Sequence, residues 1–384
     1  MLTPVWAALG GTLLATTGWA DSPPKRYQFA QIHMGVPVQI TLYAADEQTA
    51  NQAARAAWAR VAELDRILSD YRSDSELLRL CRTSGPGHPV KVSRELLFVI
   101  EQSVRLSRRS GGAFDITVGP LVRLWRRARR RKERPSEQRL ADALRAVGYE
   151  AIRIDRDANT IELLKPNMRL DLGGVAKGYV TDEALKVLRR HGCPRALIDA
   201  GGDIVVGAPP PGRAAWRIEV ADPPFAEASG ERRNAPTGPP RAPGRTGSEP
   251  QSPSRPRILM LKDAAVATSG DTYQFVEIEG VRYSHIIDPR TGEPLTTRCS
   301  VTVVAPDGLT ADGLASAVSV LGPEKGMELI EATPNTAAYL VWQAPTGRVY
   351  RRQSRRFADY LWRTKPSANP GSLAAEPSCS HAAE

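Results

Sequence analysis

The sequence predicts an α+β fold, because helix-type and strand-type patterns both occur but do not alternate as regular βαβ units. Residues 26–43 alternate apolar and polar side chains, which is typical of half-buried strands. From Asp46 to Leu68, apolar residues recur every three or four positions, which predicts an amphipathic helix. The 384 residues, 41% of them apolar, suffice for one large domain or two closely packed ones.

Turn and capping residues divide the rest of the chain into further strands and helices. The run Gly35-Val36-Pro37 predicts a turn within 26–43, and Ser93 predicts the start of a helix that ends near 111–112. The other predicted elements are a hairpin at 151–164, a helix after 173–174, strands at 195–200, 203–207 and 216–220, a helix near 310–321 and a strand at 336–342.

The first 20 residues carry no Asp, Glu, Lys or Arg and predict an export signal. An apolar stretch runs from Val5 to Thr17, and the small residues Gly18 and Ala20 precede a predicted cleavage point before Asp21. No cysteine lies near that point, so no lipid anchor is expected there. These features predict a periplasmic protein with a cleaved signal peptide.

Two segments have a composition that disfavours a packed structure. Residues 222–256 are rich in Pro, Gly, Ser and Arg and contain few large apolar side chains, and residues 365–384 are similar. Such segments bury too little apolar surface to offset the entropy lost on ordering. We therefore predict one domain over 21–364, interrupted by a disordered insertion at 222–256, and a disordered tail at 365–384.

The net charge of +10 comes largely from a basic run at 126–134 and from residues 232–257. No aromatic side chains interleave the arginines of the basic run, as base stacking would require. We interpret the run as a solvated helix face and expect no nucleic-acid partner. A second role in docking to an acidic partner or to an anionic inner-membrane surface stays open.

The segment DLGGVAKGYVTDEA at 171–184 has the pattern of an anion site. Paired glycines at a helix start allow backbone N–H groups to approach an anion closely, and the helix dipole favours negative charge there. The segment is not a Walker A loop, because Gly-Lys-Ser/Thr is missing, and it does not have the Rossmann pattern Gly-x-Gly-x-x-Gly. Taken alone, it also fits a tight turn followed by a helix.

Two later segments carry an imidazole and a pair of oxygen ligands. In SHIIDPRTGEPL at 284–295, His285 precedes a turn that Asp288 begins and Gly292 ends. Asp312 and Ser316 are four residues apart, so a helix places both oxygens on one face. Such hard oxygen ligands suit Mg²⁺. The alternative is that Asp312 caps the helix while Ser316 belongs to a small-residue packing face.

The combination and order of these motifs resemble the ApbE family of FAD:protein FMN transferases. The stretches that carry the resemblance are MGVPVQI at 34–40, SDYRSDSEL at 69–77, GGAFDITVGPLVRLW at 111–125, DLGGVAKGY at 171–179, IDAGGDI at 198–204, ATSGD at 267–271, HIIDPRTG at 285–292 and ADGLASA at 311–317. The resemblance implies a T-fold-like architecture in which two closely packed α+β lobes enclose a flavin cleft.

The resemblance also implies roles for individual residues. Those expected to contact FAD, the substrate, are Met34, Tyr71, Ala113, Phe114, Asp115, Gly173, Tyr179 and Ile286. Those expected to hold Mg²⁺ are the Ala176 carbonyl and the side chains of Asp312 and Ser316. Ser316 departs from the family, where threonine is usual, and lacks the methyl group that restricts χ1.

The implied reaction transfers FMN from FAD to a Ser or Thr hydroxyl of an acceptor protein and releases AMP. His285 is the candidate general base, and Asp288 either orients it or shapes the turn. The implied acceptor carries a flavinylation motif of the type Asp-x-x-Ser/Thr-Gly-Ala-Thr, and membrane-associated redox subunits are the usual acceptors. The alternatives are a Mg²⁺-dependent FAD pyrophosphatase and a non-enzymatic FAD-binding protein.

Overall fold

A computed structural model describes residues 23–227, 256–270 and 274–362. The predicted signal peptide at 1–20, the predicted tail at 365–384 and most of the predicted insertion lie outside these ranges and stay predictions. Within the described residues, no helix combines the length and the apolar character needed to cross a membrane.

The largest element of the described chain is an eight-stranded antiparallel sheet. Its strand order is β1-β2-β6-β7-β10-β13-β14-β15. These strands are β1 Lys25–His33, β2 Val36–Ala44, β6 Ala196–Ala200, β7 Asp203–Val206, β10 Ala264–Gly270, β13 Cys299–Ala305, β14 Ala337–Gln343 and β15 Val349–Gln353. Smaller antiparallel sheets contain β3 Val90–Lys91, β4 Ile152–Asp155 and β5 Thr160–Leu163, then β8 Trp216–Val220 with β9 Arg257–Leu261, and β11 Phe275–Ile278 with β12 Val281–Ser284.

Helices cover one face of the large sheet. The described helices are α1 Glu47–Leu68, α2 Glu76–Thr83, α3 Arg94–Arg109, α4 Gly119–Arg131, α5 Glu137–Arg145, α6 Ala176–Arg190, α7 Pro224–Glu227 and α8 Gly308–Glu331. Asp46 caps α1 by accepting a hydrogen bond from the Thr49 N–H, and Ser93 caps α3 through the Leu96 N–H. Helix α8 bends at Gly322, which has φ of 75° and precedes Pro323.

The period of two along the strands divides the core between the two faces of the sheet. On β14, Ala338 and Leu340 pack with α1, α6 and α8 in the main core. The alternate residues Ala337, Tyr339 and Val341 pack with β8 and β9 in a second core. The α+β prediction is confirmed, because the described strands pair antiparallel and helices α1, α2, α3, α6 and α8 pack together in the main core on one face.

Two local predictions were wrong. Val36 and Pro37 belong to β2, where Pro37 lies opposite Ile32, so the turn consists of Met34 and Gly35 alone. Both turn residues have positive φ, at 50° and 75°, as a two-residue hairpin requires. The first residues of the predicted disordered insertion are ordered, because the buried Asp222 carboxylate accepts hydrogen bonds from Tyr339, Arg257 and Arg351.

A third apolar cluster joins α4 and α5 to the loop after β12. Leu121, Trp125 and Ala128 of α4 pack with Ile287 in that loop. The Trp125 indole Nε1 donates a hydrogen bond to the Gly292 carbonyl over 2.9 Å. These contacts fix the His285–Gly292 loop against the helix that carries the basic run.

Candidate functional site

The start of α6 lies against α8 with unusually little space between the backbones. A Cβ atom on Gly178 would lie 2.0 Å from the Gly308 carbonyl oxygen, and one on Gly174 would lie 2.9 Å from the Ser316 Oγ. No side chain caps α6 at Val175, and the positive end of the helix dipole favours an anion there, although the Ala176 and Gly178 N–H groups already donate to the Leu172 carbonyl and to Asp312. Gly173, just before this turn, is exposed. The glycines therefore bring an anion-type helix start next to the oxygen ligands of α8.

Asp312 is buried at this contact, with 5% of its surface exposed. Its Oδ2 accepts a hydrogen bond from the Gly178 N–H at 3.3 Å and lies 3.5 Å from the Lys177 Nζ. Burial raises the pKa of Asp312, the nearby Lys177 opposes this rise, and Asp203 adds to it. Lys177 also pairs with Asp203, so one ammonium group lies between two carboxylates.

Mg²⁺ fits this donor set, which consists of hard oxygen atoms. Asp312 and Ser316 lie four residues apart on α8, facing the turn that carries the Ala176 carbonyl. Among the residues described, no group of three or more His, Cys, Asp or Glu side chains could hold a metal ion. A carboxylate, a hydroxyl and a carbonyl leave further positions for substrate phosphate and water, as is usual for Mg²⁺.

His285 lies at the end of the β11–β12 hairpin, where its ring position is fixed by backbone. Its Nδ1 is 3.2 Å from the Gln274 carbonyl oxygen, which also accepts the His285 N–H. A carbonyl can only accept, so Nδ1 carries the proton and Nε2 keeps its lone pair. The ring reaches solvent, but desolvation by the surrounding protein lowers its pKa to about 4. The positive charges of Arg129 and Lys177 also lower this pKa, whereas the hydrogen bond with Gln274 raises it.

Lys177 connects the two halves of this site. Its charge lowers the pKa of His285, and its ammonium group lies beside Asp312. The imidazole and the buried carboxylate therefore lie within electrostatic reach of the same lysine. Lys177 and Asp203 are not among the predicted site residues, although both belong to family motifs, DLGGVAKGY and IDAGGDI.

An ion-pair cluster borders the glycine turn on its other side. Arg126 donates to Asp70 at 2.7 Å and lies 3.5 Å from Asp171, and its guanidinium carbon is 4.4 Å from the centre of the Tyr71 ring. Asp171 in turn accepts the Gly173 N–H over 2.9 Å. Burial, together with repulsion from Asp70, raises the pKa of Asp171 to about 6. Tyr71, which is 74% exposed, is thus linked by contacts to the glycine turn.

The ApbE family profile matches residues 34–340, which is well over half of the chain. The chain belongs to the ApbE family.

Relatives within the ApbE family match most of this sequence. The FAD:protein FMN transferase of Vibrio cholerae is 34% identical over 281 residues, which cover 70% of this chain and 75% of that protein. The FAD:protein FMN transferase of Treponema pallidum is 31% identical over 333 residues, or 83% of this chain and 85% of that one.

Solved structures of the family have the same fold. The flavin transferase ApbE from Vibrio cholerae superposes with a TM-score of 0.72 at 29% identity, covering 88% of this chain and all of that one (100%). The apo form of the flavinyl transferase ApbE from Pseudomonas stutzeri gives a TM-score of 0.73 at 27% identity, with 88% of this chain and 98% of that one covered.

The structure places Phe114 beside the glycine turn of α6, and the turn of Met34 beside the turn before Asp203. Phe114 is buried, and its Cε2 lies 3.2 Å from the Cβ position of Gly174. Met34 lies in the β1–β2 turn, two residues before Val36. A Cβ atom on Gly201, in the turn before Asp203, would lie 3.3 Å from the Val36 side chain. These turns therefore meet near the Lys177–Asp203 pair.

Tyr179 lies on a different side of α6 from the Asp312 contact, and its contact with FAD stays a prediction. The ring packs against Phe98 of α3, with 5.7 Å between ring centres. Burial and the nearby Glu183 raise the pKa of the phenol, while Arg60 opposes that rise. The side of α6 that carries Tyr179 thus faces α1 and α3, whereas the Asp312 contact lies on the side that faces α8.

Two other predicted residues, Asp115 and Ile286, form hydrogen bonds within the protein. Both Asp115 carboxylate oxygens accept hydrogen bonds, Oδ1 from Thr117 at 2.7 and 2.8 Å and Oδ2 from the Tyr149 N–H at 2.9 Å. The Ile286 N–H donates to Ser284, and its carbonyl accepts from Leu295. Asp115 and the Ile286 backbone therefore hold loops in place.

Asp288 shapes the turn and does not orient His285. Its carboxylate accepts hydrogen bonds from the Arg290 backbone N–H at 2.9 Å and from the Arg290 guanidinium at 2.9 and 2.7 Å. Its backbone carbonyl accepts the Gly292 N–H over 2.8 Å, which closes the turn. The orienting group of His285 is the Gln274 carbonyl instead.

We expect Gly178→Ala to destabilise the fold by about 1–3 kcal/mol, because its methyl group would clash with the Gly308 backbone and push α6 from α8. Chemical denaturation of the two proteins measures this difference. Gly85→Ala is the matched control, since a Cβ at Gly85 has no neighbour within 4 Å. Equal stability of both variants would contradict the close α6–α8 contact.

Proposed function

We propose that this protein transfers the FMN portion of FAD to a Ser or Thr hydroxyl of an acceptor protein, with Mg²⁺ required and AMP released. The observation that carries the proposal is the contact of the α6 start with Asp312 and Ser316 of α8, and the effect of the Lys177 charge on His285 supports it. The curated ApbE relatives carry the name FAD:protein FMN transferase, which supports the same reaction.

The substrate's diphosphate is an anion, and the glycine turn at the start of α6 suits it. Gly173 is exposed there, and the first turn of α6 supplies the positive end of the helix dipole. Asp312, Ser316 and the Ala176 carbonyl would hold Mg²⁺, which supplies charge neutralisation on the diphosphate and a better leaving group.

The transfer is a single displacement at phosphorus. The acceptor hydroxyl oxygen bonds to the FMN-side phosphorus, the bond from that phosphorus to the bridging oxygen breaks, and AMP leaves with that oxygen. The hydroxyl proton moves to Nε2 of His285, whose lone pair is free because Nδ1 donates to Gln274. The product is a phosphoester between FMN and the acceptor.

The proposed function is tested with a purified acceptor domain that carries the motif Asp-x-x-Ser/Thr-Gly-Ala-Thr. Incubation with the protein, FAD and Mg²⁺ should increase the acceptor's intact mass by one FMN moiety. An acceptor with Ala in place of the motif's Ser or Thr is the control and should keep its mass. An unchanged mass of the intact acceptor, despite FAD binding by the protein, would refute the transferase proposal.

FAD pyrophosphatase activity is the second candidate, because the same groups would serve water as the nucleophile. His285 is exposed, so water can reach its ring. Free FMN and AMP formed without acceptor would indicate this activity.

The pH profile of transfer should reflect the low pKa of His285, which burial brings to about 4. The base must be neutral to accept a proton, so kcat/KM falls as pH drops through that pKa. A lower pKa shifts this fall to lower pH, and we expect the acid limb well below the ordinary histidine value of about 6.5. Rates measured with FAD and acceptor below KM check this, and an acid limb near 6.5 would contradict it.

We further infer that the reaction takes place in the periplasm, near membrane-associated redox subunits as acceptors. The uncharged, apolar first 20 residues support export. Cell fractionation with N-terminal sequencing of the recovered protein tests this, and a cytoplasmic protein that keeps its first residues would refute it.

A further inference from the structure

The arginines of the basic run on α4 differ in their surroundings. Arg127 and Arg130 are exposed, as a solvated helix face predicts. Arg126 and Arg129, one helical turn apart, are half-buried, so the predicted solvated face is wrong for these two. Arg126 is paired with Asp70 and Asp171, which satisfies its charge.

Arg129 has no such pairing within the described part of the chain. Its Nε is buried without a hydrogen-bond partner there, and no carboxylate of the described residues forms an ion pair with its guanidinium. Burial lowers the pKa of Arg129, and the like charge of Arg126 lowers it further. An arginine nevertheless stays charged in proteins, and burying it unpaired is costly. Arg129 is therefore a cation that an anionic ligand would stabilise.

The position of Arg129 connects it to the proposed base. The neighbouring Ala128 packs with Ile287, and Trp125 donates to Gly292, so this part of α4 lies directly on the loop of His285. The charge of Arg129 acts on both His285 and the Tyr71 phenol. Arg129 thus belongs to the part of α4 that packs on the loop of His285.

We propose that Arg129 binds the non-bridging oxygens of the FMN-side phosphate, the group that is transferred. This inference rests on the proposed function, in which His285 must reach the hydroxyl that attacks this phosphorus. A cation beside His285 is therefore beside the reacting phosphate. The planar guanidinium donates two parallel hydrogen bonds that match phosphate oxygens, and its charge offsets the negative charge that develops during transfer.

The test compares the affinities of FMN, FAD, riboflavin and AMP for the full-length protein and for Arg129→Ala, measured by fluorescence or calorimetry. We expect FMN and FAD to bind roughly 10–100-fold more weakly to the variant, as expected for loss of a charged hydrogen bond. Riboflavin lacks the phosphate, and AMP carries the other one, so both should bind as before. Arg129→Lys should recover part of the FMN affinity, because it restores the charge but not the paired donors.

Arg130→Ala is the matched control, since Arg130 is an exposed arginine on the same helix. This variant should keep the FMN affinity of the unmodified protein. A histidine titration followed by NMR gives a second readout, in which Arg129→Ala should raise the pKa of His285 because a nearby positive charge is removed.

Several results would overturn the inference. Unchanged FMN affinity in Arg129→Ala would show that Arg129 does not contact the phosphate. An equal loss of affinity for riboflavin and AMP would indicate a structural role. A higher KM for the acceptor alone would assign Arg129 to acceptor docking. Failure of the proposed function is distinct, because then the unmodified protein itself would bind FAD but transfer no FMN, or would not bind FAD.

Discussion

Replacing His285 by Ala should lower the rate of FMN transfer by about 10²–10⁴, the usual contribution of a general base. The hydroxyl of the acceptor stays protonated at neutral pH, so without a nearby imidazole its attack on phosphorus is slow. FAD affinity should change little, because His285 acts on the proton and not on the diphosphate. Single-turnover transfer and FAD titration of the same preparation separate the two effects.

His191→Ala is the matched control for this substitution. His191 is exposed at the C-terminal end of α6, far along the helix from Gly173, and its removal should leave transfer unchanged. Full transfer by His285→Ala would remove this residue from the mechanism. A loss of FAD binding equal to the loss of rate would instead give His285 a binding role.

Replacing Asp312 by Asn should abolish the dependence on Mg²⁺ and slow transfer at least about a hundredfold, because a metal ion stabilises a phosphoryl-transfer transition state by several kcal/mol. Asparagine keeps the size of the side chain but loses the negative charge that a divalent ion requires. Lys177 keeps Asp203 as its partner, so we expect the variant to fold. Transfer rates across a Mg²⁺ titration measure the effect.

Asp307→Asn provides the control on the same helix. Asp307 caps α8 by accepting the Thr310 N–H at 2.8 Å, and asparagine is an equally good cap. That variant should show the Mg²⁺ response of the unmodified protein. If Asp312→Asn gave the same titration curve, the metal would lie elsewhere.

Local signals in the sequence were sufficient for most of the fold. The helix after Asp46, the Ser93 cap and the 151–164 hairpin were predicted from periodicity and capping alone, and each is present. The turn at Met34 was misplaced by two residues because Pro37 suggested a turn, whereas β2 accommodates it opposite Ile32. Asp222 was assigned to a disordered segment because its three partners are distant in sequence.

Only those residues of the candidate site that belong to a recognisable sequence motif could be predicted. The spacing of Asp312 and Ser316 indicated one helix face, and both lie on the face that meets α6. Tyr179 was assigned by its membership of a motif, but its direction on α6 depends on packing with Phe98. The roles of Lys177, Asp203 and Arg129 depend on which elements meet in space, and periodicity along the chain does not encode that.

The most direct test of this account counts AMP and acceptor-bound FMN in one reaction with FAD, Mg²⁺ and a motif-bearing acceptor. The account predicts one AMP for each FMN attached to the acceptor, and no attached FMN when the motif's Ser or Thr is replaced by Ala. AMP released together with an equal amount of free FMN, and no flavin on the acceptor, would contradict it.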